Sequence, residues 1–155
     1  MSDIDKFYQS FPWIGGDLQT IRDTFCFDFN LNRNIEKVFI PIRNLCSNSY
    51  EKDYLLGFLE FPENKSFKGL VILTHGLGGS TKRFGLRRIA KKLLNDGFVI
   101  FKLNLRGAGS GRYLTNSNYS AKCSKDIFDV VQFLKNKFFV DINDFKFKNK
   151  NFPIF

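Results

Sequence analysis

Two short, unbroken apolar runs, each closed by a glycine-rich turn and each followed by a helical pattern, constrain this chain more than anything else in it. The first is Leu70 to Thr74, followed by His75-Gly76-Leu77-Gly78-Gly79-Ser80; Leu86, Ile89, Ala90, Leu93 and Leu94 then fall on one face of a helix. Gly97 stands where a glycine ends a helix. The second run is Phe98 to Leu105, with its turn at Gly107 to Gly111. After a polar loop, Ser124 is placed to cap a helix whose apolar stripe is Ile127, Val130, Val131, Leu134 and Phe138. Phe152-Pro153-Ile154-Phe155 opens a third run. Strands that are apolar without alternation are buried on both faces, so the pattern predicts a mostly parallel sheet flanked by helices, an α/β architecture.

The upstream grammar differs. Glu36 to Ile42 and Tyr54 to Phe61 are β-rich runs separated by the polar stretch Asn44 to Asp53, which predicts an antiparallel pair at the start of the sheet. Residues 1–34 read as an irregular arm, with turns at Pro12 and Gly15-Gly16 and with Asp17 placed to cap a short helix through Arg22. The expected division is an arm over 1–34 and a domain over 35–155.

Several function classes are disfavoured. A chain of 155 residues is long enough for one domain that buries about two thirds of its unfolded surface. Its apolar runs are far shorter than the roughly 20 residues of a membrane span, and the acidic start lacks the apolar core of a secretory signal. A cytoplasmic location is the expectation. Cys26, Cys46 and Cys123 are odd in number and widely spaced, so they read as reduced thiols, with neither a disulfide framework nor a zinc site. The net charge of +9 raises nucleic acid as a partner, but Arg83, Arg87 and Lys91, with Arg88 and Lys92 beside them, make a basic helical stripe without interleaved aromatics. That stripe reads as a solvated outer face, and no nucleic-acid partner is expected. No metal or cofactor is expected either.

The turns carry the chemistry. A strand that ends in His75-Gly76 and runs into small residues leaves backbone N–H groups open at the carboxyl end of a parallel sheet, where open α/β folds bind ligands. Such donors suit a developing oxyanion. The second turn is no dinucleotide fingerprint, because Arg112 stands where the third glycine would be. It is no nucleophile elbow around Ser110 either, since Ala108 and Arg112 replace the two glycines. Lys82 lacks the preceding glycine of a phosphate-binding loop.

Together, Thr74 to Ser80, Asn104 to Ser110 and the upstream Pro12-Trp13-Ile14-Gly15-Gly16-Asp17-Leu18-Gln19-Thr20 resemble the esterase-type hydrolase branch of the α/β-hydrolase superfamily. The resemblance covers nearly the whole chain. It implies that Leu77 supplies an oxyanion-hole N–H from a loop shaped by His75, Gly76 and Gly78, and that Arg106 and Gly107 organise the turn beside the pocket. The branch often has His after the tyrosine near the third helix, whereas Tyr119 is followed here by Ser120. In this fold a catalytic serine follows the fifth strand, with the acid and histidine later. The chain would then be the N-terminal half of the fold, ending before its nucleophile, and catalytically silent alone. Its one histidine, His75, precedes any such serine and reads as a loop histidine bonded to backbone. Complete relatives would hydrolyse a small-molecule ester or acyl substrate. The alternative is a non-catalytic binding module, or a split-enzyme half that needs a complementing C-terminal chain. With four residues of a fifth strand, the edge of the Leu70–Thr74 strand is expected to stay unpaired and to promote aggregation.

Overall fold

The computed structural model describes residues 8–9, 11–18, 35–45, 52–63, 67–120, 123–140 and 153–155. The chain divides into two compact units, Met1–Leu31 and Asn32–Phe155. In the first, helical backbone begins at Gly16, so Asp17 lies inside the helical turn and not at its cap; Arg22 is outside the described residues.

The second unit contains β1 (Ile35–Arg43), β2 (Lys52–Glu60), β3 (Leu70–Thr74), α1 (Phe84–Asn95), β4 (Val99–Leu103), a 3-10 helix (Gly109–Leu114) and α2 (Ser124–Val140). The sheet order is β1-β2-β4-β3. β1 pairs antiparallel with β2, β2 antiparallel with β4, and β4 parallel with β3. The antiparallel start and the parallel continuation are those expected, and the described sheet is mixed. β2 begins earlier than the polarity of its first residues suggests, because Asp53 lies within it and is buried.

β4 is the pivot, with all five residues buried. Side chains alternate across a strand. Val99, Phe101 and Leu103 join Val38, Ile40, Ile42, Leu55, Leu59 and Leu70 in a core completed by Val130 and Leu134 of α2. Ile100 turns the other way and meets Ala90 and Leu94 of α1, with Val71, Leu73, Leu93 and Phe98 around them. The two helices therefore cover opposite faces. On the α1 face, Lys102 and Glu60 form a buried ion pair.

The α1 stripe is narrower than its apolar spacing suggests: Ile89 is half exposed, and the helix buries Ala90 and Leu94. In α2 the stripe holds at Ile127, Val130 and Leu134, while the side chain of Phe138 is outside the described residues. α1 ends as its glycine predicts. Gly97 takes φ +93°, its N–H bonds the Leu94 carbonyl at 3.1 Å, and the Phe98 N–H bonds the Leu93 carbonyl at 3.0 Å. This double closure satisfies carbonyls the helix leaves open and turns the chain directly into β4.

The expectation of an unpaired β3 edge is corrected. Residues 153–155 lie parallel to β3 through the Leu70–Ile154 bridge. The N–H groups of Leu70 and Ile72 bond the carbonyls of Pro153 and Phe155, each at 2.9 Å, and the Phe155 N–H bonds the Leu70 carbonyl at 2.8 Å. Each residue of a parallel strand directs its donor and acceptor to one side, so three residues are enough to occupy this stretch of edge. Among the described residues, no helix is long and apolar enough to cross a membrane.

Candidate active site

The loops leaving β3 and β4 meet at the carboxyl ends of those parallel strands and enclose a cavity of about 480 Å³. Its walls include His75, Gly76, Leu77 and Gly78 from the first loop and Arg106, Gly107, Arg112 and Tyr119 from the second. All six loop residues expected at the site from the sequence are thereby brought together.

His75 fastens the two loops. Its Nδ1 lies 2.8 Å from the Gly76 carbonyl, and its Nε2 lies 3.1 Å from the Leu105 amide. A backbone amide only donates, so Nε2 is the acceptor and Nδ1 carries the proton; the network assigns a neutral tautomer. Both nitrogens are committed to backbone, and the ring is buried. It is a structural fastener with no lone pair free for a substrate.

Beyond His75 the chain turns tightly, with the Gly79 N–H bonded to the Gly76 carbonyl at 3.0 Å and Gly78 at φ +66°. Between them Leu77 projects outward, its side chain 94% exposed. Among the described residues no acceptor pairs with the Leu77 N–H, which leaves that donor open on a loop lining the cavity.

Asn104, whose role the sequence did not disclose, holds the loop from behind. It is buried; its Oδ1 accepts the Thr81 N–H at 3.0 Å, and its own N–H bonds the Leu56 carbonyl at 3.0 Å. Arg106 anchors the second loop. Its side chain is wholly buried, with Nε 2.6 Å from Asp126 Oδ2, Nη2 3.0 Å from Asp126 Oδ1, and Nη1 2.8 Å from Asp53 Oδ2. Nη1 also donates to Ser117 Oγ at 3.2 Å, and Nη2 to the Arg43 carbonyl. The planar fork thus joins the end of β1, the start of β2, the start of α2 and the intervening loop. Burial disfavours the guanidinium's charge, but the hydrogen bond and charge of Asp126, followed by Cys123 and Asp53, outweigh it and raise its pKa above the ordinary value.

Gly107 follows at φ +65°, its N–H bonded to Thr115 Oγ1 at 3.2 Å. A Cβ there would come within 2.2 Å of Asn118 Oδ1 and 3.2 Å of its Cα, and at this φ any side chain is strained, so glycine is favoured. The Arg106 carbonyl accepts the Tyr119 N–H at 3.1 Å, which folds the wall bearing Asn118 and Tyr119 back over the turn. Asp53 and Asp126 are the site-supporting residues the sequence hid, since in sequence each sits in a polar stretch that reads as solvated.

Cys123 is a buried free thiol, 3.7 Å from Ser120 Oγ and 3.9 Å from the Asn118 carbonyl, and does not line the cavity. Cys26 and Cys46 lie outside the described residues. Among the described residues, the cavity wall holds no serine, cysteine or carboxylate.

No protein-family model matches the sequence, and no curated protein matches it. Solved structures do. An esterase of Pyrococcus furiosus superposes with a TM-score of 0.50 at 19% identity over 68% of this chain and 37% of its own. An alpha-beta serine hydrolase homologue from Coxiella burnetii gives 0.45 at 18% identity, over 64% of this chain and 46% of its own. Brefeldin A esterase, a bacterial homologue of human hormone-sensitive lipase, gives 0.48 at 16% identity, over 77% and 32%. The chain thus spans less than half the length of each of these proteins. The mixed β1-β2-β4-β3 sheet with a helix on each face, over the span shared with the Pyrococcus esterase, is part of an α/β-hydrolase fold.

Proposed function

We propose that this chain provides the oxyanion-hole side of a serine-esterase-type active site. The observation that carries this is the open Leu77 N–H on a cavity wall at the carboxyl end of a parallel strand pair. In such a site a serine Oγ attacks the ester carbonyl carbon and gives its proton to a histidine. The carbonyl π pair moves to oxygen, and that oxyanion takes the Leu77 N–H. Collapse expels the alcohol, protonated by the same histidine, and water then hydrolyses the acyl-serine.

The 155 residues alone turn over no ester, because their single histidine has both ring nitrogens committed. The serine, acid and base come from a further segment, whether continuous with this chain or separate. Residues 153–155 run parallel to β3, so a strand continuing them heads for the edge where the cavity opens.

The test is complementation. The chain alone should hydrolyse short activated esters no faster than its Leu77→Pro variant. Mixed with the C-terminal half of a related hydrolase it should gain turnover, and Leu77→Pro should lower that turnover by about 10²–10³-fold, the usual cost of one oxyanion donor. Turnover by the isolated chain above the variant would refute the silent state. Copurification of the halves with no turnover would favour the binding module.

A further inference from the structure

The cavity edge has an uneven charge distribution that the oxyanion-hole assignment does not use. Arg112, on the 3-10 helix, lines the cavity and is exposed, and among the described residues it pairs with no carboxylate. Lys82 and Arg83 are exposed beside Thr81, whose N–H is fixed to Asn104 at the end of β4, so they stand on the same edge. Asp53 and Asp126, the carboxylates bonded to Arg106 of the cavity wall, are buried and turned to that arginine. α1 begins with no acidic residue in its first turn. Arg106 is saturated by those acids, so Arg112 is the cavity's uncompensated charge. Such a charge on the wall of a concave site concentrates anions and orients them.

Resting on the oxyanion-hole proposal above, we infer that the substrate is an ester bearing its own negative charge, a half-ester of a dicarboxylic acid in the simplest case. Its free carboxylate is held by Arg112 while its ester carbonyl faces the Leu77 N–H. The guanidinium fork matches a carboxylate in a way a point charge does not. Arg112 is then the residue that separates charged from neutral esters.

The chain itself serves for the test, since binding precedes chemistry. Amide resonances are followed by NMR while monomethyl succinate, an anion, and dimethyl succinate, its neutral counterpart, are added separately. The anion should bind about tenfold more tightly, perturbing the amides of Leu77, Gly78 and Gly109, as expected for one added charge-assisted hydrogen bond. The preference should shrink as salt rises toward about 0.3 M. Arg112→Gln should abolish the preference, and Arg112→Lys should keep part of it. Equal binding of the two probes at those amides overturns the inference and leaves the oxyanion-hole proposal standing. Silence of the Leu77 and Gly78 amides toward both probes overturns the two together. A preference that survives in Arg112→Gln assigns the charge to Lys82 and Arg83 and removes Arg112 from the role.

Discussion

Arg106 shows how one side chain settles the shape of a cavity without offering it a free group. Each of its three nitrogens is occupied, by two aspartates, a hydroxyl and a carbonyl drawn from separate stretches of chain. Removing it strands two buried carboxylates, so Arg106→Met should destabilise the fold by about 3–5 kcal/mol in urea unfolding. Arg106→Lys should fall between, because one ammonium cannot span both acids and the Arg43 carbonyl. A loss below about 1 kcal/mol for Arg106→Met would show that the acids are stable without it. The arginine's contribution has a definite sign in pH. Its folded pKa lies above the ordinary value, so the stabilisation is complete below that value and fades only as strongly alkaline solution strips the folded-state proton. His75 occupies the opposite end of the same design, a titratable ring given to backbone contacts that join two loops.

At the scale of elements, β3 depends on partners far away in sequence. The Leu70 and Ile72 amides donate to Pro153 and Phe155, so hydrogen exchange at those two amides should accelerate when residues 151–155 are deleted. Exchange at Phe101 and Leu103 in β4 should stay slow. Unchanged exchange at Leu70 and Ile72 would show that the edge contact is not formed in solution. The elements themselves were largely legible: the unbroken apolar run Leu70–Thr74 is β3 residue for residue, Gly97 ends α1, and α2 starts at Ser124, one residue earlier than a capping serine there implies. Legibility failed where a polar residue is buried by a partner remote in sequence. Asp53 sits in a polar stretch that reads as a turn, yet it is the second residue of β2 because Arg106, far along the chain, compensates its charge. The 3-10 helix went unseen because two glycines and an arginine mark a turn and have no helical period. At the site, the strand-to-turn pattern pointed to the loop that starts at His75-Gly76, and the family resemblance implied the roles of Leu77, Arg106 and Gly107, whereas Asn104 and Asp126 act through tertiary contacts that no spacing reveals.

In the Asn32–Phe155 unit as a whole, β4 and β3 each feed both apolar clusters, and β4 does so with all five residues buried. Leu134→Ala, under one face, and Leu94→Ala, under the other, should each cost about 2–5 kcal/mol and lower the same single unfolding transition. Two separated transitions in either variant, by circular dichroism and tyrosine fluorescence, would mean that the faces melt independently. The sheet order also fixes a timetable. β3 precedes both of its partners in sequence, β4 and residues 153–155, so on a ribosome it emerges with nothing to pair with. At about 5–20 residues per second, roughly 1–5 s pass between the synthesis of Thr74 and that of Val99. During that interval Leu70–Leu73 is an orphan apolar segment in a nascent chain, and it is the place on this polypeptide where a ribosome-associated chaperone should be found.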